Sequence, residues 1–359
     1  MIRRIYALGM PVALCTLAFA LEATMAATSS PADATAPSAS AAYFDQSART
    51  DLLSGGVRKI AVQTPRGVFN VWTKRVGNNP QIKVLLLHGG PGATHEYFEA
   101  ADSYFPGAGV EYYYYDQLGS AFSDQPNEDS LWDLPRFVEE VEQVRQALGL
   151  DRENFYLLGH SWGGILGIEY ALKYQSHLKG LIISNMMASV PLYNKYAHDV
   201  LMPDMDQKVL AEILQFEKAG DTENPRYMQL LESSYYTQHV LRMPPEQWPD
   251  PVLRAFAKLN RKVYVRMQGP SEMGIGELAT LAKWDRGADL PKITVPTLVV
   301  GARYDTMDPK YMEWMSKQLP KGRYLYCPNG SHLAIYDDQE TYMTGVAGFI
   351  KDVDRDVVR

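Results

Sequence analysis

The residues NFYLLGHSWGGILGIEYALKY at 154–174 decide the fold. Asn154 to Leu158 are an apolar, aromatic run of strand length, and Gly164 to Tyr174 read as a helix. Between them Gly159-His160-Ser161-Trp162-Gly163 form a strand-to-helix turn so tight that its flanking positions need glycine. The turn pushes the serine hydroxyl out over the sheet, where a nucleophile belongs. The alternative is a chance Gly-x-Ser-x-Gly in a surface turn, and the strand before and the helix after argue against it.

Outward from this elbow, short β-branched and aromatic runs alternate with helical patterns, which predicts an α/β fold with a mostly parallel sheet covered by helices. Strands are expected at Val57 to Gln63, Gly67 to Val76, Lys83 to His88, Val110 to Asp116, Asn154 to Leu158, Leu178 to Ser184, Thr297 to Gly301 and Arg323 to Cys327. A one-faced helix is expected from near Asp133, with Leu134, Phe137, Val138, Val141, Val144 and Leu148 on its apolar side and a stop at Gly149. The block between Ser184 and Thr297 differs in character, being rich in Tyr, Met, Gln and Pro with helical patterns around Val209 to Leu214 and Tyr227 to Ser234. Inserted between two strands of one sheet, it would form a helical cap over the carboxyl ends of the strands, where open α/β sheets bind ligands. The expected organisation is a catalytic domain at 43–189 and 291–359, with a cap at 190–290.

The chain has 359 residues, 46% of them hydrophobic and 21% charged, an ordinary globular profile. Its net charge of −7 leaves no basic excess to neutralise a phosphate backbone, so nucleic acid is not an expected partner. Arg3 and Arg4, the apolar run Ile5 to Leu21 and the small residues Ala23, Ala26 and Ala27 have the three-part pattern of an export signal over residues 1–26. The competing reading, a membrane anchor, is disfavoured by Gly9, Pro11 and a run shorter than the roughly 20 residues a spanning helix needs. Cleavage is expected after Ala20 or after Ala26, giving an exported, periplasmic or secreted protein. Residues 27–42, ATSSPADATAPSASAA, read as a disordered tether. Of the two cysteines, Cys15 falls in the leader and leaves Cys327 unpaired.

A serine hydroxyl needs a base to take its proton and a carboxylate to orient that base. After an elbow of this kind the acid and then the histidine follow in the chain, so His177, His198, His239 and His332 are the choices. His332, in the loop Pro328-Asn329-Gly330-Ser331-His332 after the last strand, is the expected base. The acid should stand at the end of the preceding strand, which points to Asp305; the rival Asp308 precedes Pro309 and reads better as a helix N-cap. Oxyanion donors are expected from the N–H of Trp162 and from the loop His88-Gly89-Gly90-Pro91-Gly92, with Gly90 as the choice. That loop is not a phosphate loop, since no Gly-Lys-Ser/Thr follows. His95-Glu96 begins a zinc-protease pattern that Glu99 breaks, and no metal or cofactor is called for.

HGGPG at 88–92, YYDQLGSAFSDQP at 114–126, GHSWGG at 159–164, GARYDTMDP at 301–309 and GSH at 330–332 together resemble the proline iminopeptidase family of α/β-hydrolase serine peptidases. NPRYMQLLESSYYTQHVLR at 224–242, VYVRMQGPSEM at 263–273 and KWDRGADLPKITVPTLVVG at 283–301 resemble its tricorn-interacting aminopeptidase branch. The resemblance covers about Val57 to Ile350. It implies removal of an N-terminal residue, often proline, from short peptides, with amino acid amides and arylamides as small analogues. It also implies acidic residues that hold the substrate ammonium. Glu272 in Gly269-Pro270-Ser271-Glu272-Met273 matches one of these. Two departures stand out: Thr306 replaces the glutamate that follows the triad aspartate in that branch, and Ala121 replaces the second glycine of DQxGxGxS. Glu246 is a candidate to compensate for the first. The lost carboxylate leaves room for amide, ester or lactone substrates. A non-catalytic binding protein is the reading from another class. Oligomeric state is not legible.

Overall fold

The computed structural model describes residues 39–357. The expected leader and residues 27–38 of the expected tether lie outside the described residues. The far end of that tether is not a tether: Ala39–Phe44 is helical. Tyr43 is the reason, because its ring is buried and its hydroxyl donates to the Val110 carbonyl at 2.8 Å, anchoring the chain before the first strand.

Eight strands form one sheet in the order β1-β2-β4-β3-β5-β6-β7-β8, an α/β-hydrolase fold. They are β1 (Val57–Thr64), β2 (Gly67–Val76), β3 (Lys83–Leu87), β4 (Glu111–Asp116), β5 (Phe155–His160), β6 (Gly180–Ser184), β7 (Thr297–Ala302) and β8 (Gly322–Cys327). β1 and β2 pair antiparallel, as do β2 and β4, and every other pairing is parallel. All eight expected strands exist, with ends displaced by a few residues. The largest useful shift is at β5, which runs on to His160 because His160 pairs in register with Ser184 of β6.

Alternate residues of each strand feed cores on opposite faces of the sheet. Phe155 and Leu157 of β5 join one apolar cluster and Tyr156 and Leu158 the other. The run Tyr112 to Tyr115 in β4 splits the same way, and each buried phenol reaches a carboxylate: Tyr112 and Tyr114 use Asp102, Tyr113 uses Glu111 and Tyr115 uses Glu140. Buried hydroxyls without such acceptors would cost about 1–3 kcal/mol each. The expected one-faced helix runs Leu134–Leu148 and ends at Gly149, which takes the left-handed conformation. Phe137, Val138, Val141 and Val144 lie on its buried side.

Between β6 and β7 the chain forms a helical segment that includes Val190–Tyr196, Gln207–Ala219, Pro225–Leu231, Asp250–Ala257 and Arg261–Met267. Its apolar residues, among them Leu210, Ile213, Tyr227, Leu231 and Val252, pack into the same cluster as Leu158, Ile182, Leu298 and Val300 of the sheet. Each such side chain buried stabilises the join by about 1.5–3 kcal/mol. Polar ties reinforce it at the rim, where Arg254 bonds Glu96 at 2.7 Å and Glu99 at 2.5 Å.

Candidate active site

Ser161, Asn185, Asp305 and His332 all follow the carboxyl ends of strands, β5, β6, β7 and β8 in turn, and Gly89 and Gly90 follow β3. Parallel register brings these ends level, with Leu87 opposite Gly159, His160 opposite Ser184 and Ala302 opposite Cys327. Five separate loops therefore meet at one edge of the sheet.

Ser161 sits at φ +56° and ψ −126°, a conformation few non-glycine residues adopt. The turn that holds it is compressed: a Cβ on Gly159 would overlap the Gly163 carbonyl, and one on Gly163 would overlap the Leu87 carbonyl. That is why both flanks are glycine. Trp162 opens the helix Trp162–Tyr174, so its N–H has no intrahelical acceptor. Among the described residues neither this N–H nor that of Gly90 is taken by another protein group.

Asp305 is fully buried and both of its carboxylate oxygens accept hydrogen bonds. Its Oδ1 takes His332 Nδ1 at 2.8 Å, Met307 N at 3.1 Å and Thr306 Oγ1 at 3.3 Å; its Oδ2 takes Asn185 Nδ2 at 2.7 Å. Asp308 does what its position before Pro309 suggests, accepting from Lys310 N at 2.9 Å as N-cap of Pro309–Gln318. Burial opposes charge on His332, but the charge and hydrogen bond of Asp305, with Glu272 further off, outweigh it and raise the imidazole above the ordinary histidine value. The His332 Nε2 side faces a cavity that Ser161 also lines; no hydrogen bond joins the two side chains in this state, a contact that unliganded sites often hold long.

Thr306, at the position where the resembling branch has a glutamate, turns inward instead. Its hydroxyl stands 3.2 Å from His332 Nδ1 and 3.3 Å from Asp305 Oδ1.

The cavity encloses about 730 Å³ counting its open mouth, and it is bounded by Gly89, Gly90, Ser161, His332 and Glu272 together with apolar side chains such as Met228, Val252 and Phe256. Glu272 is its carboxylate. Tyr264 donates to Glu272 Oε1 at 2.5 Å, Tyr193 donates to the Glu272 carbonyl at 2.8 Å, and the Glu272 N–H reaches Tyr236 at 3.4 Å. Burial raises the Glu272 pKa above the usual carboxylate value, against the opposing pull of His332 and of the Tyr264 hydrogen bond. Glu246 is elsewhere. It is exposed on the turn Pro245–Gln247 and does not line the cavity, because Trp248 beside it is the residue that turns inward.

Several residues of the site make contacts that no motif announces. Gly89 N–H donates to Tyr97 Oη at 2.6 Å, Tyr97 O–H donates to His160 Nδ1 at 3.1 Å, and His160 Nε2–H donates to the His332 carbonyl at 2.8 Å. Burial holds His160 neutral, with its pKa lowered to about 3, which fits this one-donor, one-acceptor arrangement. Gln117 links the other flank, donating to the His88 carbonyl at 3.1 Å and accepting from Trp162 Nε1 at 2.8 Å. His239, one of the histidines set aside as base, braces two loops: its Nδ1 bonds the Tyr304 carbonyl at 3.0 Å and its carbonyl accepts His332 N–H at 2.9 Å.

A serine on a strand-to-helix elbow, a histidine paired to a buried aspartate and two unclaimed N–H groups, on this sheet, define a serine hydrolase of the α/β-hydrolase class. The family described as alpha/beta hydrolase fold matches residues 83–339. The chain belongs, within it, to the proline iminopeptidase family. It is 59% identical to a proline iminopeptidase of Elizabethkingia meningoseptica over 82% of this chain and 98% of that one. It is 57% identical to a proline iminopeptidase of Flavobacterium johnsoniae over 83% and 99%. The crystal structure of a Mycobacterium smegmatis proline iminopeptidase superposes with a TM-score of 0.71 at 29% identity, covering 84% of this chain and 99% of that one.

Proposed function

We propose that this protein is a serine aminopeptidase that releases an N-terminal residue, preferentially proline, from short peptides. The observation that carries the reading is Glu272, a carboxylate placed in the same cavity as Ser161 and His332. A free ammonium held there by a charge-assisted hydrogen bond would leave only the first amide bond within reach of the serine. Ser161 Oγ attacks that carbonyl while His332 takes the hydroxyl proton, and Asp305 keeps the imidazole in the tautomer whose Nε2 is free to accept. The oxyanion is received by the N–H groups of Gly90 and Trp162. His332 then gives its proton to the departing amine, and water activated by the same histidine releases the acyl group as the free amino acid.

The test compares proline arylamide with its N-acetyl derivative. The unblocked substrate is expected to turn over and the blocked one to be refused. Glu272→Gln is expected to lower kcat/KM for the unblocked substrate by about a hundredfold. Equal rates on the two substrates in the native enzyme would end the ammonium reading. Thr306 favours a second reading, hydrolysis of amino acid amides or esters, because one carboxylate at the amine site selects less sharply than two.

We also infer that the enzyme is exported to the periplasm or secreted, on the strength of Arg3, Arg4, the apolar run Ile5 to Leu21 and the small residues that follow. The intact mass of protein recovered from the extracytoplasmic fraction should correspond to a chain beginning after Ala20 or Ala26. Full-length chain confined to the cytoplasm would overturn this.

A further inference from the structure

Arg261 lies in the wall of the catalytic cavity and has no part in the chemistry described above. It opens the helix Arg261–Met267, and Tyr264, the hydroxyl that holds Glu272, stands one turn further along the same face. A rise of about 4.5 Å separates the two positions along the helix axis. The cavity therefore has a carboxylate, Glu272, and a guanidinium, Arg261, in its wall, together with apolar side chains that include Met228, Phe256 and Leu259. The Arg261 charge is felt at the site: it lowers the pKa of the Tyr236 phenol against burial and the Glu272 charge, which raise it.

The guanidinium is not deeply committed to its present partners. Its Nε donates to Glu223 Oε1 at 2.7 Å, but the Glu223 side chain is 76% exposed, and its second contact, to the Thr222 carbonyl, is 3.5 Å long. An ion pair with one partner in water stabilises little and exchanges readily. Arginine presents paired N–H donors that match a carboxylate in a two-point contact. An extended dipeptide spans about 7 Å from amine to carboxylate, short enough for both of its ends to lie within this one cavity.

Resting on the aminopeptidase reading, we propose that Arg261 is a specificity-determining residue that binds the terminal carboxylate of the substrate, so that the preferred substrates are free dipeptides and similarly short peptides. The zwitterion is then read at both ends, its ammonium by Glu272 and its carboxylate by Arg261. A leaving group without that charge forgoes the second contact.

The experiment measures kcat/KM for prolylglycine and for prolylglycinamide in the native enzyme, in Arg261→Gln and in Glu223→Gln, with proline arylamide as a check on the native enzyme. The native enzyme is expected to prefer the free acid over the amide, and Arg261→Gln to reduce that ratio about tenfold, chiefly through KM for the acid. Glu223→Gln, which frees the guanidinium at an exposed position, is expected to lower KM for prolylglycine. An acid-to-amide ratio near one in the native enzyme, or one unchanged in Arg261→Gln, would overturn the proposal and assign Arg261 to tying the 222–223 turn. Should Arg261→Gln fail to fold, Glu223→Gln decides: a lower KM for prolylglycine supports the proposal, and an unchanged one overturns it. Failure of the native enzyme to cleave proline arylamide would instead remove the aminopeptidase reading itself.

Discussion

Ser161→Ala is expected to lower kcat for proline arylamide by about five orders of magnitude or more. The loss is that large because the acyl-enzyme route depends on the one oxygen removed; what remains is the modest help given by oxyanion donors and by substrate binding. The fold should not notice. Ser161 Oγ makes no hydrogen bond among the described residues, so its deletion orphans no partner. Alanine keeps the Cβ and inherits the same φ of +56°, so no new strain is added to the elbow. The thermal transition of the variant should therefore match the native one, and a serine-directed phosphonate should label the native enzyme alone. Appreciable turnover by Ser161→Ala would show that another group is the nucleophile.

Asp305→Asn is expected to cost about four orders of magnitude in kcat. The four hydrogen bonds to this carboxylate all come from donors or from the imidazole, and an amide offers only one oxygen to replace two. If the amide oxygen takes the Oδ1 place, its NH2 confronts the Asn185 NH2. If it is flipped, its NH2 confronts Met307 N–H, and it draws the proton of His332 from Nδ1 to Nε2, the atom that must be free to receive the serine proton. Asn185 cannot turn over to help without giving up the 2.7 Å bond that its Oδ1 accepts from Ser184. The pH profile checks the cause. Asp305 raises the His332 pKa above its ordinary value, so in the native enzyme the imidazole becomes neutral, and kcat/KM rises, through a limb above about 6.5. Without the aspartate charge, burial dominates and that limb should move to lower pH. An unmoved limb would mean that Asp305 does not set the state of the base.

How much of this was legible in the sequence depends on how local the signal was. The elbow, both expected partners of Ser161 and the helix ending at Gly149 were readable because each is announced by a few adjacent residues at a strand or helix end. Asp305 was separable from Asp308 because capping is itself a local rule, and the structure shows Asp308 capping. The contacts of Tyr97, Gln117, Asn185 and Tyr264 were not readable, even though Gln117 and Tyr264 lie inside family motifs. Tyr97 meets His160 from 63 positions away and Asn185 meets Asp305 from 120, and no spacing rule relates residues that meet only because strand ends are level. Glu246 failed for the opposite reason, since proximity in the chain to the cavity wall says nothing about which way a turn faces. The composition of residues 27–42 does not announce the helix Ala39–Phe44, because what holds that helix is the single buried ring of Tyr43 just beyond them.

The hydrogen-bonded chain from Gly89 through Tyr97 and His160 to the His332 carbonyl also braces the site. It ties three segments of the chain together through buried side chains, so that the floor of the cavity is cross-braced by hydrogen bonds shielded from solvent. The rim of the helical segment is held instead by Arg254, whose pair with the partly exposed Glu99 is more open to screening by salt than its pair with the buried Glu96. On that arrangement, rising ionic strength should loosen the rim of the cavity before it disturbs the floor.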